Sequence, residues 1–355
     1  MTTELRNQLK SLQQRLKQIK DSIYLAKAKK RLKELDHSIA QEGFGKIPET
    51  TKDALRWRSL ILSQIDTFHK VESDLKENNL LLAMAEAEKD TATLAEVAAQ
   101  VSALDDQMET LSLRLMLDGE ADHNNAIITI DAGTEDSEAR SWVKAIFRMY
   151  RYWAECKGYK IKVIDEQPSD WIGSKYVSFM VVGKYSFGYL KSESGVHCLE
   201  HISPFNTSGK RHTSFASVFV YPDEIKLEVD KKELNIDVYK SCGPHTAYKN
   251  GCAIRITHLP SGIVVFCQQE KSQYHNYNLA MKALKARLKQ RKTNHDNKED
   301  IARGDQIRSY ILSPRPMVKD HRSGLKVCNI SNVLNGDLDP FIKGAIHLHS
   351  TTKKA

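Results

Sequence analysis

The chain has 355 residues, 41% of them hydrophobic, enough to fill sizeable cores and to predict roughly two to four domains of ~100–150 residues each. No apolar run approaches the ~20 residues needed to span a bilayer, so no membrane partner is expected. A formal net charge of +8 favours polyanionic partners, because each Lys or Arg placed on a phosphate releases condensed counterion. The six cysteines (Cys156, Cys198, Cys242, Cys252, Cys267 and Cys328) form no CxxC pair and follow no secretory signal, which indicates free thiols in a reducing compartment. Zinc-ligand spacing is absent too, so neither a metal nor a small-molecule cofactor is expected.

At the N-terminus, Glu4 and Leu5 already fit a helical pattern, and nothing there is Ser- and Arg-rich like a transit peptide. Either the protein has none or this is a processed form. Leu5, Leu9, Leu12, Leu16, Ile19 and Ile23 alternate by four and three, a stripe that packs along a narrow seam. Gly43, Gly45 and Pro48 break the pattern. It resumes with Leu55, Ile61, Leu62, Ile65, Phe68 and Val71, and again with Leu94, Val97, Val101, Leu104, Met108, Leu111 and Leu115. Three helices in an antiparallel bundle over 1–117 are predicted.

Composition changes after Gly119. β-branched and aromatic enrichment predicts strands over 126–130, 161–164, 176–182, 215–221, 226–229 and 236–239. A helix is predicted over 138–158, with Trp142, Ile146, Phe147, Tyr150 and Trp153 on its apolar face. A hairpin turns at Pro260, Ser261 and Gly262, and a basic helix covers 279–292. A polar linker follows over 298–304, and strand and short-helix patterns resume from Gln306.

Long motifs then occur in order. Residues 191–197 read KSESGVH, 203–205 read SPF, and 210–222 read KRHTSFASVFVYP. Residues 148–150 read RMY and 153–155 WAE, with Glu138, Ala139 and Trp142 upstream. Residues 236–239 read IDVY, 253–258 AIRITH, 306–310 QIRSY, 317–320 MVKD and 335–339 NGDLD. From about 132 to 341 the chain resembles the bacterial-type class I peptide chain release factors, of the kind whose Ser-Pro-Phe tripeptide reads UGA and UAA. The resemblance implies an α+β protein, with an N-terminal antiparallel helical bundle over 1–117 followed by mixed α/β domains. It also implies a codon-recognition-like core over 118–222 plus 300–355, and a former peptidyl-tRNA hydrolysis domain over 223–299.

The implied RNA-reading residues are Ser203, Pro204, Phe205, Arg211, His212 and Thr213, with Glu138 facing the first base. An aromatic face and a few hydrogen bonds suit single-stranded RNA, whose bases can be splayed out and stacked. Lys282, Lys285 and Lys289 on the basic helix, preceded by Tyr274, His275 and Tyr277, are further candidates to meet RNA phosphate and bases.

Two departures stand out. The family's VHRLVRISPF is here VHCLEHISPF, so two arginines become Cys198 and His201 and an apolar position becomes Glu200. Loss of the planar guanidinium fork and gain of a carboxylate predict weaker phosphate binding. Between the IDVY and AIRITH strands the family's Gly-Gly-Gln tip is replaced by Gly243, Pro244 and His245, and no glutamine stands in 240–252. Paired glycines allow close backbone approach to RNA, whereas Pro244 fixes φ and removes a donor. The expectation is therefore a chain with no catalytic residues that is not an enzyme.

A lost tip is similar to the plant plastid release-factor-like proteins, which implies a chloroplast RNA-binding protein that stabilises specific messenger RNA. The alternatives are codon-specific termination or non-hydrolysing occupancy of the ribosomal A site. RNA, as messenger RNA or ribosome, is the partner in every reading. For the cysteines of this hairpin two readings stay open: free thiols, or a redox-sensitive pair in which Cys252 and Cys267 are cross-strand neighbours.

Overall fold

The computed structural model describes residues 2–352 apart from 22, 41–47, 89, 120, 135, 169–172, 203–210, 226, 241–251, 269, 271, 296–305 and 314. Two compact units emerge, Met1–Asp118 and Gly119–Ala355. The first holds α1 (Thr2–Lys20), α2 (Ile23–Ala40), α3 (Pro48–Glu88) and α4 (Thr91–Met116). Four helices thus stand where apolar periodicity alone predicts three. The Leu5–Ile23 stripe runs across the break between α1 and α2, so its period hides the boundary. Leu5, Leu9, Leu12 and Leu16 meet Phe68, Val71 and Leu75 of α3 and the whole predicted α4 stripe in one buried core.

Helix directions follow from paired residues. Lys20 faces Glu72 at 3.6 Å, while Arg6 pairs with Glu86, so α1 and α3 run antiparallel. Asp90 caps α4 by accepting from the Ala92 and Thr93 N–H groups at 2.9 and 3.3 Å, closing the short α3–α4 connection. Leu55 departs from its expected core place and lies exposed.

The second unit is built on an eight-stranded sheet in the order β11-β10-β9-β4-β5-β1-β3-β2. Its strands are β1 (Ala126–Ala132), β2 (Lys160–Pro168), β3 (Ser174–Val182), β4 (Gly195–Ile202), β5 (Arg211–Pro222), β9 (Gln306–Ile311), β10 (Met317–Asp320) and β11 (Lys326–Val327). Neighbours pair antiparallel except β4 and β9, which run parallel. α5 (Ser137–Cys156) buries Trp142, Ile146, Tyr150 and Trp153 of its expected apolar face, together with Met149, whereas the expected Phe147 is half-buried. α6 (Ser186–Leu190) precedes β4.

β6 (Leu234–Lys240), β7 (Cys252–His258) and β8 (Ile263–Cys267) form a second sheet in that order. It packs on α7 (Gln273–His295) through Ile254, Ile256, Val265, Leu279, Ala283 and Leu284, in a core shared with Ile127, Ile164 and Met180 of the larger sheet. The strand predicted over 226–229 is not present at 227–229, where the Leu227 N–H bonds Ile225 O at 2.8 Å instead of a neighbouring strand. α8 (Ile330–Leu334) and α9 (Asp339–Thr352) close the chain.

The expected α+β class, helical first and mixed after, is the one observed. Among the described residues no helix is long and apolar enough to cross a membrane, and no group of three or more His, Cys, Asp or Glu is placed to hold a metal ion.

Candidate RNA-reading surface

The KSESGVH motif is a buried frame. Lys191 Nζ donates to both oxygens of buried Asp122 at 2.6 and 2.7 Å. Glu193 and Arg308 are both fully buried, and two guanidinium N–H groups donate to the carboxylate at 2.7 and 2.8 Å. The Tyr150 hydroxyl adds a third bond to Glu193 at 3.1 Å. Burial alone would raise the Glu193 pKa, but the charge and hydrogen bonds of Arg308 outweigh it and hold the carboxyl below its usual range. His197 is fully buried, with Nε2 at 3.1 Å from Glu193 O and Nδ1 at 3.3 Å from the Tyr310 hydroxyl. Burial, reinforced by the Arg308 charge, pushes its pKa down to about 4. This network ties β4 to β9 and fixes the strand that leads into 203–205.

Strand alternation then places the reading residues. In the β4–β5 ladder His201 lies opposite His212, and Glu200 opposite Thr213. His197 and His201 share the face toward α5, where the Trp142 indole N–H donates to His197 O at 3.0 Å. Glu138, in the first turn of α5, reaches this face. Its Oε2 lies 3.5 Å from His201 Nε2 and 3.9 Å from His212 Nδ1. The two imidazole centroids are 6.4 Å apart.

Glu138 and His212 are thus brought together, while Thr213, next along β5, is exposed on the other face of the sheet. His201, flagged in the sequence only as a lost arginine, belongs to the same cluster. Its position opposite His212 is the signal, legible once the strand register is known. Arg211 is in β5. Ser203, Pro204 and Phe205 lie outside the described residues, as do Gly243, Pro244 and His245.

Asp136 caps α5, its Oδ1 accepting from Ala139 N at 2.6 Å. Burial works against its ionisation, but hydrogen bonds from Thr134 and the Ala139 backbone hold its pKa below the usual value.

Cys198 corrects one sequence inference. It lies on the opposite face of β4 from His201 and is buried, so it is not part of a phosphate-facing surface. Burial, then the nearby Glu200 charge, pushes its thiol pKa up to about 12. The cysteine pair is corrected as well: β7–β8 register sets Cys267 opposite Ile254, two positions from Cys252, and the buried Cys267 thiol donates to Asn276 Oδ1 at 3.6 Å.

On α7 several cations have local partners. Lys282 Nζ lies 3.0 Å from Asp223 Oδ2. Arg287 meets Asp165 at 3.1 Å, bonds Val264 O at 2.9 Å and stacks over the Tyr176 ring at 4.1 Å. Arg291 bonds Ser261 O. Lys289 is exposed and sits 5.8 Å from the Tyr221 ring centroid; Lys285 is half-buried. Much of the charge counted in the sequence therefore fastens the helix to β2, β8 and the 223 region.

Comparison with known proteins bears directly on this surface. The PCRF domain matches residues 28–218 and the RF-1 domain residues 223–322. A protein of Clostridium perfringens (strain SM101 / Type A) named Peptide chain release factor 2 is 39% identical, with 96% of this chain and 98% of that protein covered. One of the same name from Helicobacter pylori (strain P12) is 37% identical over 95% of this chain and 96% of its own length. The solved structure of RF2 of Thermus thermophilus superposes with a TM-score of 0.69 at 33% identity, covering 95% of this chain and 99% of that one. These full-length matches overturn the expectation that the chain is not an enzyme. That expectation rested on one short loop, whereas the release factor likeness runs through both domains and across the segment holding that loop. The chain belongs to the class I peptide chain release factor family.

Proposed function

We propose that the chain acts in translation termination, as a codon-directed factor that occupies the ribosomal A site. The observation that carries this reading is the Glu138–His201–His212 cluster. It presents a half-exposed imidazole on β5, at the strand end that leads back from the Ser-Pro-Phe segment. An imidazole face stacks on an unpaired base, while Glu138 beside it offers a hydrogen-bond acceptor for base edges. The reaction served is the family's, hydrolysis of the peptidyl-tRNA ester, and the groups that would face that ester belong to the 241–251 segment.

The test uses purified ribosomes with UGA, UAA, UAG or a sense codon in the A site and labelled peptidyl-tRNA in the P site. Tighter association with UGA and UAA than with UAG and the sense codon is expected. Equal association with all four overturns the reading. Peptide release is read from the same complexes, so binding and chemistry are scored separately.

One observation favours a second reading: the 240–252 segment holds no glutamine. On that reading the same surface covers a stretch of single-stranded messenger RNA in a plastid and excludes ribonuclease. Crosslinking in cells followed by sequencing of the bound RNA separates the two. Ribosomal RNA and tRNA support termination, whereas a single untranslated region supports messenger protection.

A further inference from the structure

We propose that the solvent face of α5, through Lys144 and Arg148 with Arg151 beside them, is a track for RNA phosphates that starts beside the reading cluster. This rests on the reading that the cluster meets a codon. The face follows from helical spacing. Trp142, Ile146, Met149, Tyr150 and Trp153 are buried on one side of α5. Residues 144, 148 and 151, spaced by four and three, share the opposite side, and all three are exposed. At about 1.5 Å of rise per residue, Lys144 stands about 9 Å along the axis from Glu138 and Arg151 about 20 Å. One helix thus carries the carboxylate of the cluster in its first turn and a line of cations beyond it.

The fold does not consume this charge. Arg151 Nε lies 3.5 Å from Glu155 Oε1, but the two side chains are 48% and 60% exposed, and solvent weakens such a pair. Lys144 and Arg148 have no ion-pair or hydrogen-bond partner among the described residues. The acids at the two ends of the helix are engaged: Asp136 caps it, and Asp339 accepts from Lys157 Nζ and the Trp153 indole N–H. On α7, by contrast, Lys282, Arg287 and Arg291 are taken up by Asp223, Asp165 and Ser261 O. Like charges four residues apart on a helix repel, so the Lys144–Arg148 spacing costs the fold stability and gives it no contact in return.

The chemistry selects the partner. No described side chain of α5 is a large exposed apolar group, the anchor that a protein or membrane partner needs. Guanidinium offers phosphate oxygens a planar fork, and the Lys ammonium adds a point charge. The phosphates belong either to the single strand that carries the codon or to ribosomal RNA. Contacts to phosphate position a protein and carry no sequence information. The stripe therefore supplies affinity, and the Glu138–His201–His212 cluster supplies preference for a codon.

The experiment measures binding of the full chain to UGA-programmed ribosomes, to sense-programmed ribosomes and to a free single-stranded RNA oligomer carrying UGA, between about 50 and 200 mM salt. Lys144→Ala with Arg148→Ala should weaken binding and flatten the log–log salt dependence by up to ~0.7 for each single-strand phosphate no longer neutralised. The ratio of UGA to sense affinity should stay within about twofold of wild type. Lys144→Arg with Arg148→Lys keeps both charges and should keep the wild-type slope. A flatter slope with the oligomer supports the track and assigns it to the single strand; a flatter slope on ribosomes alone supports it and assigns it to ribosomal RNA. An unchanged slope on all three targets overturns the inference and leaves the termination reading standing. A loss confined to UGA-programmed ribosomes, or an equal loss in the charge-keeping exchange, overturns it too. A wild type without UGA preference is a separate result, which overturns the termination reading.

Discussion

Acid should destabilise the second unit through one residue. His197 is fully buried, stacked on Tyr310 with ring centroids 6.0 Å apart. Its pKa is pushed from 6.5 to about 4, by burial first and then by the Arg308 charge. The unfolded chain takes up this proton near pH 6.5 and the folded chain only near 4, so between those values the unfolded state binds more protons. Stability is therefore complete above about pH 6.5 and falls as pH drops through the window. A window of roughly 2.5 pH units at about 1.4 kcal/mol each is worth about 3 kcal/mol. The neighbouring carboxylates act lower. Burial opposes ionisation of Asp320, but its bonds from Arg322 and Ser323 hold it at about 2, and Glu193 is held below its usual value. The measurement is urea unfolding between pH 7.5 and 4.5, followed by tryptophan emission in a Trp57→Phe background that silences the described indole of the helical unit. His197→Gln keeps hydrogen-bonding groups but cannot titrate. It should start less stable at pH 7.5 and lose about 2–3 kcal/mol less than wild type on acidification. An equal loss in both proteins would refute the assignment.

Three further outcomes are expected. Gly336 has φ +102° and a Cβ there would lie 2.6 Å from Trp153 N, so Gly336→Ala should cost ~1–3 kcal/mol, read as a lower melting temperature; an unchanged melt contradicts it. Lys285→Ala with Lys289→Ala should weaken RNA binding about uniformly across sequences and flatten its log–log salt dependence by up to ~0.7 for each phosphate no longer neutralised; an unchanged slope places the RNA elsewhere. His212→Ala should cost ~1–3 kcal/mol of RNA affinity and His212→Phe should restore most of it; equal affinity of wild type and His212→Ala removes stacking from the account.

What could be read from the sequence was local. The stripes at Leu5, Leu9, Leu12 and Leu16 and along α4 are periodic, and periodicity reports burial directly. What escaped depends on distant partners. Glu193 and Arg308 are 115 positions apart, and nothing near either one signals that both charges are buried. The basic helix shows the same limit: counting cations on α7 says nothing of Asp165, 122 positions from Arg287, or Asp223, 59 from Lys282. Cys198 was legible in principle, since neighbours in a strand face opposite sides, and a residue beside His197 cannot share its face.

The departures from the family pattern are distributed in a way the structure explains. Cys198 fills a buried site as a small apolar group, and His201 faces the Glu138 carboxylate. None disturbs the Glu193–Arg308–His197 frame, where loss of one partner would strand a buried charge at a cost of ~3–5 kcal/mol. The frame fastens α5 to the segment leading through β4, with Tyr150 bonded to Glu193 and Trp142 to His197 O, and so sets where Glu138 on α5 meets His201 on β4.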